Sequence, residues 1–179
     1  MNNKIKSLAL ASLLLPAIAF AQNNQIGGTD LGEVDRSLAF ELVTKLVGSW
    51  EGKLHQPDGT VVETSTSFRL TSNGNTVVET LIEDGVEMVT TYSDKDGELV
   101  VKHYCALGTE PMFSVGNMTA TSLSLISDSS PGYMPEHHNY VESLRWTLDK
   151  DSPMKFRVDG KIYLDGQLTE QYSEFDRVN

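Results

Sequence analysis

Two side chains two residues apart, His103 and Cys105, are where the types and spacing of residues in this 179-residue chain first suggest chemistry. On an extended segment they project to one side with Leu99 and Val101, while Glu98, Val100, Lys102 and Tyr104 project to the other. A one-residue slip would carry Lys102 inward as an unpaired charge, so the phase has a physical preference and His103 and Cys105 are expected to face an interior. A histidine beside a thiol can be a nucleophile with its base, a pair of metal ligands, or a wall that touches a ligand. It can equally be a hydrogen-bonded core histidine next to a small buried thiol. No third motif element accompanies the pair to select catalysis.

Other polar groups could join them. Tyr92, in phase with Met88 and Thr90, reads as interior, where its hydroxyl needs a partner. Glu79 lies between Val77 and Leu81 on one face of its segment, and as a buried carboxylate it would be an acid or a ligand anchor. Val78, Thr80 and Ile82 are also a plausible inward set, and the balance then tips Glu79 toward solvent. Glu142, in phase with Leu144 and Trp146, carries the same ambiguity. Glu136, His137 and His138 could donate metal ligands from a loop, but adjacent histidines on an extended chain diverge, so the expectation is an exposed polar loop and no metal. A haem would need an axial histidine in an apolar cavity, for which His103 or a loop histidine would have to serve. The proposed ligand-contacting set is therefore His103, Cys105, Tyr92, Met88 and Glu79, with no catalytic residue and no cofactor assigned.

The elements that position these residues are announced by Asx-Gly pairs: Asp58-Gly59, Asn73-Gly74, Asp84-Gly85, Asp96-Gly97, Asp159-Gly160 and Asp165-Gly166. Such pairs tolerate the positive φ of tight hairpin turns, and the first four recur at roughly eleven to fifteen residues with β-branched and apolar runs between. The chain is expected to be all-β, an antiparallel up-and-down barrel of about eight to ten strands. Trp50, Gly52 and Leu54 share one face of the first strand, and Val62, Thr64, Thr66, Phe68 and Leu70 one face of the second. Further strands are expected at 76–83, 86–93, 98–105, 112–118, 122–127, 140–148, 154–159 and 161–176, with a long loop over 128–139. Ahead of them Leu38, Leu42 and Leu46, with Val43 and Val47, form a helical stripe capped by Asp35 or Ser37 and ended by Gly48.

Leu46-Val47-Gly48-Ser49-Trp50-Glu51-Gly52, a short helix running into Gly-x-Trp on the first strand of a meander, resembles the lipocalins and their calycin relatives. The resemblance implies a barrel whose floor is closed by Trp50 and whose interior binds a small ligand, although the chain lacks a disulfide pair. The segments Val77–Leu81, Glu87–Tyr92 and His103–Cys105 also resemble a group of uncharacterised exported bacterial proteins.

The N-terminus reads as a secretory signal over residues 1–21: Lys4 and Lys6, an apolar core from Leu8 to Ile18, and Ala19-Phe20-Ala21 as the cleavage site. The apolar core is shorter than the roughly 20 residues of a membrane span, so no span is expected after cleavage and the protein should be periplasmic or extracellular. Residues 22–34 read as a polar tether and 35–179 as one barrel domain. Cleavage would move the formal charge from −11 to −13, since two lysines leave with the signal. Such a surface repels phosphate backbones, so nucleic acid is not an expected partner, and the oligomeric state is unassigned. Cys105 is the sole cysteine, which leaves no internal disulfide. Three readings follow: a barrel holding a small, largely apolar ligand, an enzyme built in the same cavity, and an interaction protein with a fully packed core. A cavity of a few hundred Å³ separates the first two from the third.

Overall fold

The computed structural model describes residues 25–32, 35–128 and 132–178. The signal-sequence expectation thus lies outside the described residues. Within the stretch read as a tether, β1 (Gln25–Ile26) and β2 (Thr29–Asp30) form a minimal antiparallel ladder, part of a unit separate from the one that begins at Gly32.

That second unit starts with α1 (Leu38–Thr44). Ser37 caps it, its hydroxyl accepting from the Phe40 N–H at 3.1 Å, while the Ser37 N–H donates to the buried carboxylate of Asp94. The helix ends at Thr44 rather than running to Gly48, because the next turns tighten: Leu46 N–H donates to Val43 and Val47 N–H to Thr44. Leu46 therefore lies beyond the helix yet remains buried.

Ten antiparallel strands follow and close on themselves: β3 (Gly48–His55), β4 (Val61–Thr71), β5 (Thr76–Glu83), β6 (Val86–Lys95), β7 (Glu98–Tyr104), β8 (Met112–Met118), β9 (Ser122–Ser127), β10 (Tyr140–Leu148), β11 (Lys155–Leu164) and β12 (Gln167–Val178). Each strand pairs with its neighbours in sequence, and β12 pairs with β3 to shut the barrel. The fold is the expected all-β up-and-down barrel, and closure leaves no open sheet edge.

Three two-residue turns carry the hairpins that the Asx-Gly pairs announce. Asp84-Gly85, Asp96-Gly97 and Asp165-Gly166 all have positive φ at both residues. Asp159-Gly160 does not turn. It sits inside β11, with Asp159 opposite Tyr172 and Gly160 opposite Gln171, so one strand spans Lys155–Leu164 where two segments breaking at Gly160 were expected. The positive-φ turn falls instead at the next Asp-Gly pair.

The end entered by β3 is filled. Trp50 is 1% exposed, donates its indole N–H to the Leu46 carbonyl at 2.7 Å, and meets the edge of Phe156 at 4.7 Å between centroids. Phe68, Phe156, Phe175 and the α1 side chains Phe40, Leu42 and Val43 complete the plug. Arg177 locks the helix–strand connection: its guanidinium lies 4.1 Å from the Trp50 ring and donates to the carbonyls of Lys45 and Val47. Gly48 is needed here twice, for a φ of +131° and because a Cβ would sit 2.5 Å from the Arg177 Nη1. At Gly52 a Cβ would collide with the Glu174 carbonyl, so β3 and β12 approach closely only with glycine there.

Candidate ligand cavity

The opposite end holds a cavity of about 330 Å³. Its wall is drawn from the C-terminal ends of β3, β5, β7 and β11 and the N-terminal ends of β4, β6, β10 and β12, which is one rim of an up-and-down barrel. The wall is mostly apolar, with Leu54, Leu81, Met88, Leu144, Val158 and Ile162 among its members. Trp146 and Tyr92, in edge contact at 4.9 Å, line it together with Phe175 of the aromatic plug. Gly160 contributes no side chain to this wall, which leaves room beside Leu144 and Gln171.

Strand register builds the polar part. Phe68, Glu79, Thr90 and His103 stand directly opposite one another across β4, β5, β6 and β7 and so form one row. Val77, Tyr92 and Val101 form the next row. Glu79 is 7% exposed: Tyr92 donates to its Oε2 at 2.5 Å and Thr66 to its Oε1 at 3.0 Å. The expected tilt of Glu79 toward solvent is therefore corrected, because the β4–β5–β6 register places it inside with Phe68 and Thr90. Burial raises the Glu79 pKa against the opposing pull of these donors, and burial followed by the Glu79 charge pushes the Tyr92 hydroxyl up.

His103 is 5% exposed and its Nδ1 lies 2.9 Å from the Thr90 hydroxyl. Burial lowers its pKa to about 4, so the imidazole is neutral near pH 7. Cys105, one residue past the end of β7, also lines the cavity, and burial raises its thiol pKa. Met88 and Tyr92 line it too. The five residues singled out in the sequence thus share one wall.

Glu142 is not part of that wall. A β-bulge between Val141 and Ser143 leaves it opposite no residue of β11, and it accepts instead from the Ser127 hydroxyl at 2.9 Å. Past the bulge the phase reverses, so Val141 joins Leu144 and Trp146 on the cavity side. In the long loop, His138 accepts from the Met134 N–H at 3.1 Å and packs on Tyr133, and its ring stands at 89° to that of His137. Among the described residues no three His, Cys, Asp or Glu side chains are grouped to hold a metal. The wall does not fit a haem: Glu79, Glu83 and Asp84 line it, and among the described residues no lysine or arginine is there to meet a propionate.

Comparison with known proteins adds to the fold alone. No protein-family model matches the chain, and no curated protein matches it. A solved Nostoc punctiforme PCC 73102 protein of the DUF3598 family, described as of unknown function, is similar at a TM-score of 0.55 and 12% identity. The match covers 76% of this chain and 49% of that one, so this chain spans about half the length of that protein. A redesigned β-barrel, mFAP1, bound to DFHBI, aligns at a TM-score of 0.40 and 17% identity over 79% of this chain and all of its own.

Several wall residues escaped the sequence reading. Glu83 ends β5 in phase with Glu79 and Leu81, and burial together with the Glu79 charge raises its pKa to about 7. As with Glu79, with which it is in phase, its facing could not be read from a strand that carries apolar residues on both faces. Thr66 and Thr90 are buried partners of the carboxyl–imidazole row that threonine's β-propensity conceals. Among the described residues no helix is long and apolar enough to cross a membrane.

Proposed function

We propose that this chain is an exported, lipocalin-like barrel that holds a small, largely apolar ligand in the open half of its interior. The observation that supports the reading most is the division of the barrel: one end is packed solid with aromatic rings, while the other keeps about 330 Å³ lined by apolar side chains and one short polar row. A packed-core interaction protein would fill both halves. The lysine-flanked apolar core and A-x-A site support export.

Native mass spectrometry of protein purified from its own host tests both parts. A retained small molecule of mass compatible with the cavity, on a chain beginning at Gln22, is the expected result. A Leu81→Trp variant should lose that molecule while keeping its far-ultraviolet dichroism, because the indole would occupy the cavity. Retention of Met1, or a ligand undisturbed by the filled cavity, would count against export and against this site respectively.

A further inference from the structure

The ionisable wall of the cavity is one-sided. Along β5, Glu79, Leu81 and Glu83 alternate inward, so the strand presents a carboxyl at depth, an apolar step, and a carboxyl at the mouth, where Asp84 adds a third. Among the described residues no lysine or arginine lines the space. Glu79 is held by Tyr92 and Thr66, whereas the Glu83 carboxyl makes no hydrogen bond or ion pair among the described residues.

A second observation comes from His103. The Thr90 hydroxyl lies 2.9 Å from the His103 Nδ1, and which of the two donates depends on the imidazole tautomer. In the tautomer whose Nδ1–H donates to the Thr90 oxygen, Nε2 carries the lone pair. Nε2 has no partner among the described residues, and His103 lines the cavity while 95% of its surface is covered. In that tautomer Nε2 calls for a donor, and the carboxylates and the imidazole offer lone pairs to whatever enters.

Building on the cavity reading above, we infer that the ligand is an apolar molecule carrying one protonated amine, its ammonium seated among Glu83, Glu79 and the Nε2 of His103 and its apolar part against Leu81, Leu144 and Val158. An ammonium brings three donors and no acceptor, which matches the inward carboxylates and an Nε2 that carries a lone pair. It also supplies the countercharge that the two inward glutamates lack, whereas a carboxylate-bearing ligand would add a like charge to a partly desolvated space. The raised carboxyl pKa values agree with a site built around a missing cation.

Three probes of one chain length, octylamine, octanol and octanoate, separate the possibilities. Binding to the stripped full-length protein is followed by calorimetry at pH 8 and 0.15 M salt, where exposed charges more than about 8 Å apart are largely screened. Octylamine should bind with one-to-one stoichiometry at least tenfold tighter than octanol, with octanoate weakest. Glu83→Gln should remove most of the amine's advantage and leave octanol unchanged. Octanol binding as tightly as octylamine, octanoate binding tightest, or an amine preference untouched in both Glu83→Gln and Glu79→Gln would each overturn the cation assignment while leaving a ligand cavity in place. Failure of all three probes to bind would overturn the cavity reading and the cation assignment together.

Discussion

The two ends of this barrel are made from the same ten strands and differ in what their inward positions carry. At the α1 end the rows hold Trp50, Phe68, Phe156 and Phe175, whose rings meet edge-on or stacked at 4.7–6.2 Å. At the other end the cavity wall carries Thr90, Gly160 and Ser173, with medium-sized apolar side chains between them. A ten-stranded barrel is wide, and only large rings backed by a helix fill its bore. Where threonine, serine and glycine replace the rings, a hollow remains. Dense packing is concentrated at the plugged end, and the hollow one is where the proposed ligand would be held, because side chains that leave room cannot also fill it.

The largest effect that tests this contrast is on unfolding. Trp50→Ala should cost about 3–5 kcal/mol, since the ring leaves a cavity that the Arg177 clamp and α1 cannot collapse into. Leu81→Ala, on a wall that already borders empty space, should cost clearly less, because fewer packed neighbours are lost. Urea titrations of both variants with unchanged m-values would check the ordering. Equal losses would show that the hollow end contributes as much to stability as the plugged one.

A smaller effect comes from pH and belongs to the hollow end alone. His103 has a folded pKa depressed to about 4 from 6.5, so the unfolded chain takes up the proton first and stability falls as pH drops from about 6.5 toward 4. Glu83 is shifted the other way, to about 7 from 4.5, so the folded state holds its proton longer and stability falls as pH rises from about 4.5 to 7. Glu79, also raised, adds to that alkaline-side loss. Asp84, Cys105, Tyr92 and Tyr172 are the other titratable groups among the described residues that line the cavity. Thermal melts between pH 4 and 8 should show His103→Gln flattening the acid limb and Glu83→Gln flattening the neutral one. A Trp50 variant, by contrast, should lower the whole curve in parallel.

The smallest effect is kinetic and sits at the mouth. Cys105 is half-buried with a thiol pKa raised by burial, so it should react with a bulky maleimide more slowly than an unfolded control, and more slowly again with octylamine bound. Rapid modification unchanged by the amine would move Cys105 out of the wall.

Much of this was readable from local pattern. Asx-Gly pairs with positive φ are a property of two residues, so Asp84-Gly85, Asp96-Gly97 and Asp165-Gly166 announced their hairpins without help from the rest of the chain. The facing of His103 was equally legible, because Leu99 and Val101 precede it and Lys102 excludes the alternative. Tyr92 followed from Met88 and Thr90 in the same way. Glu79 was not legible, since both faces of its strand carry apolar residues and alternation then says nothing. Glu142 was misleading, because a single bulged residue reverses every facing on one side of it.

What the chain determined by itself, then, was the order of hairpins, the Gly-Trp entry into the first strand, and the inward phase of β7, all set by interactions within a few residues. Tertiary structure alone decided that Asp159-Gly160 runs straight through a strand, since Gln171 and Tyr172 of β12 pair with it and no local preference could foresee that. It also decided the row from Glu79 through Thr90 to His103, which joins residues 24 positions apart through the registers of two hairpins. The hollow itself belongs to that second class. Whether ten strands enclose a packed core or a cavity depends on the summed volume of inward side chains against the bore that closure imposes, and only the closed barrel sets that bore.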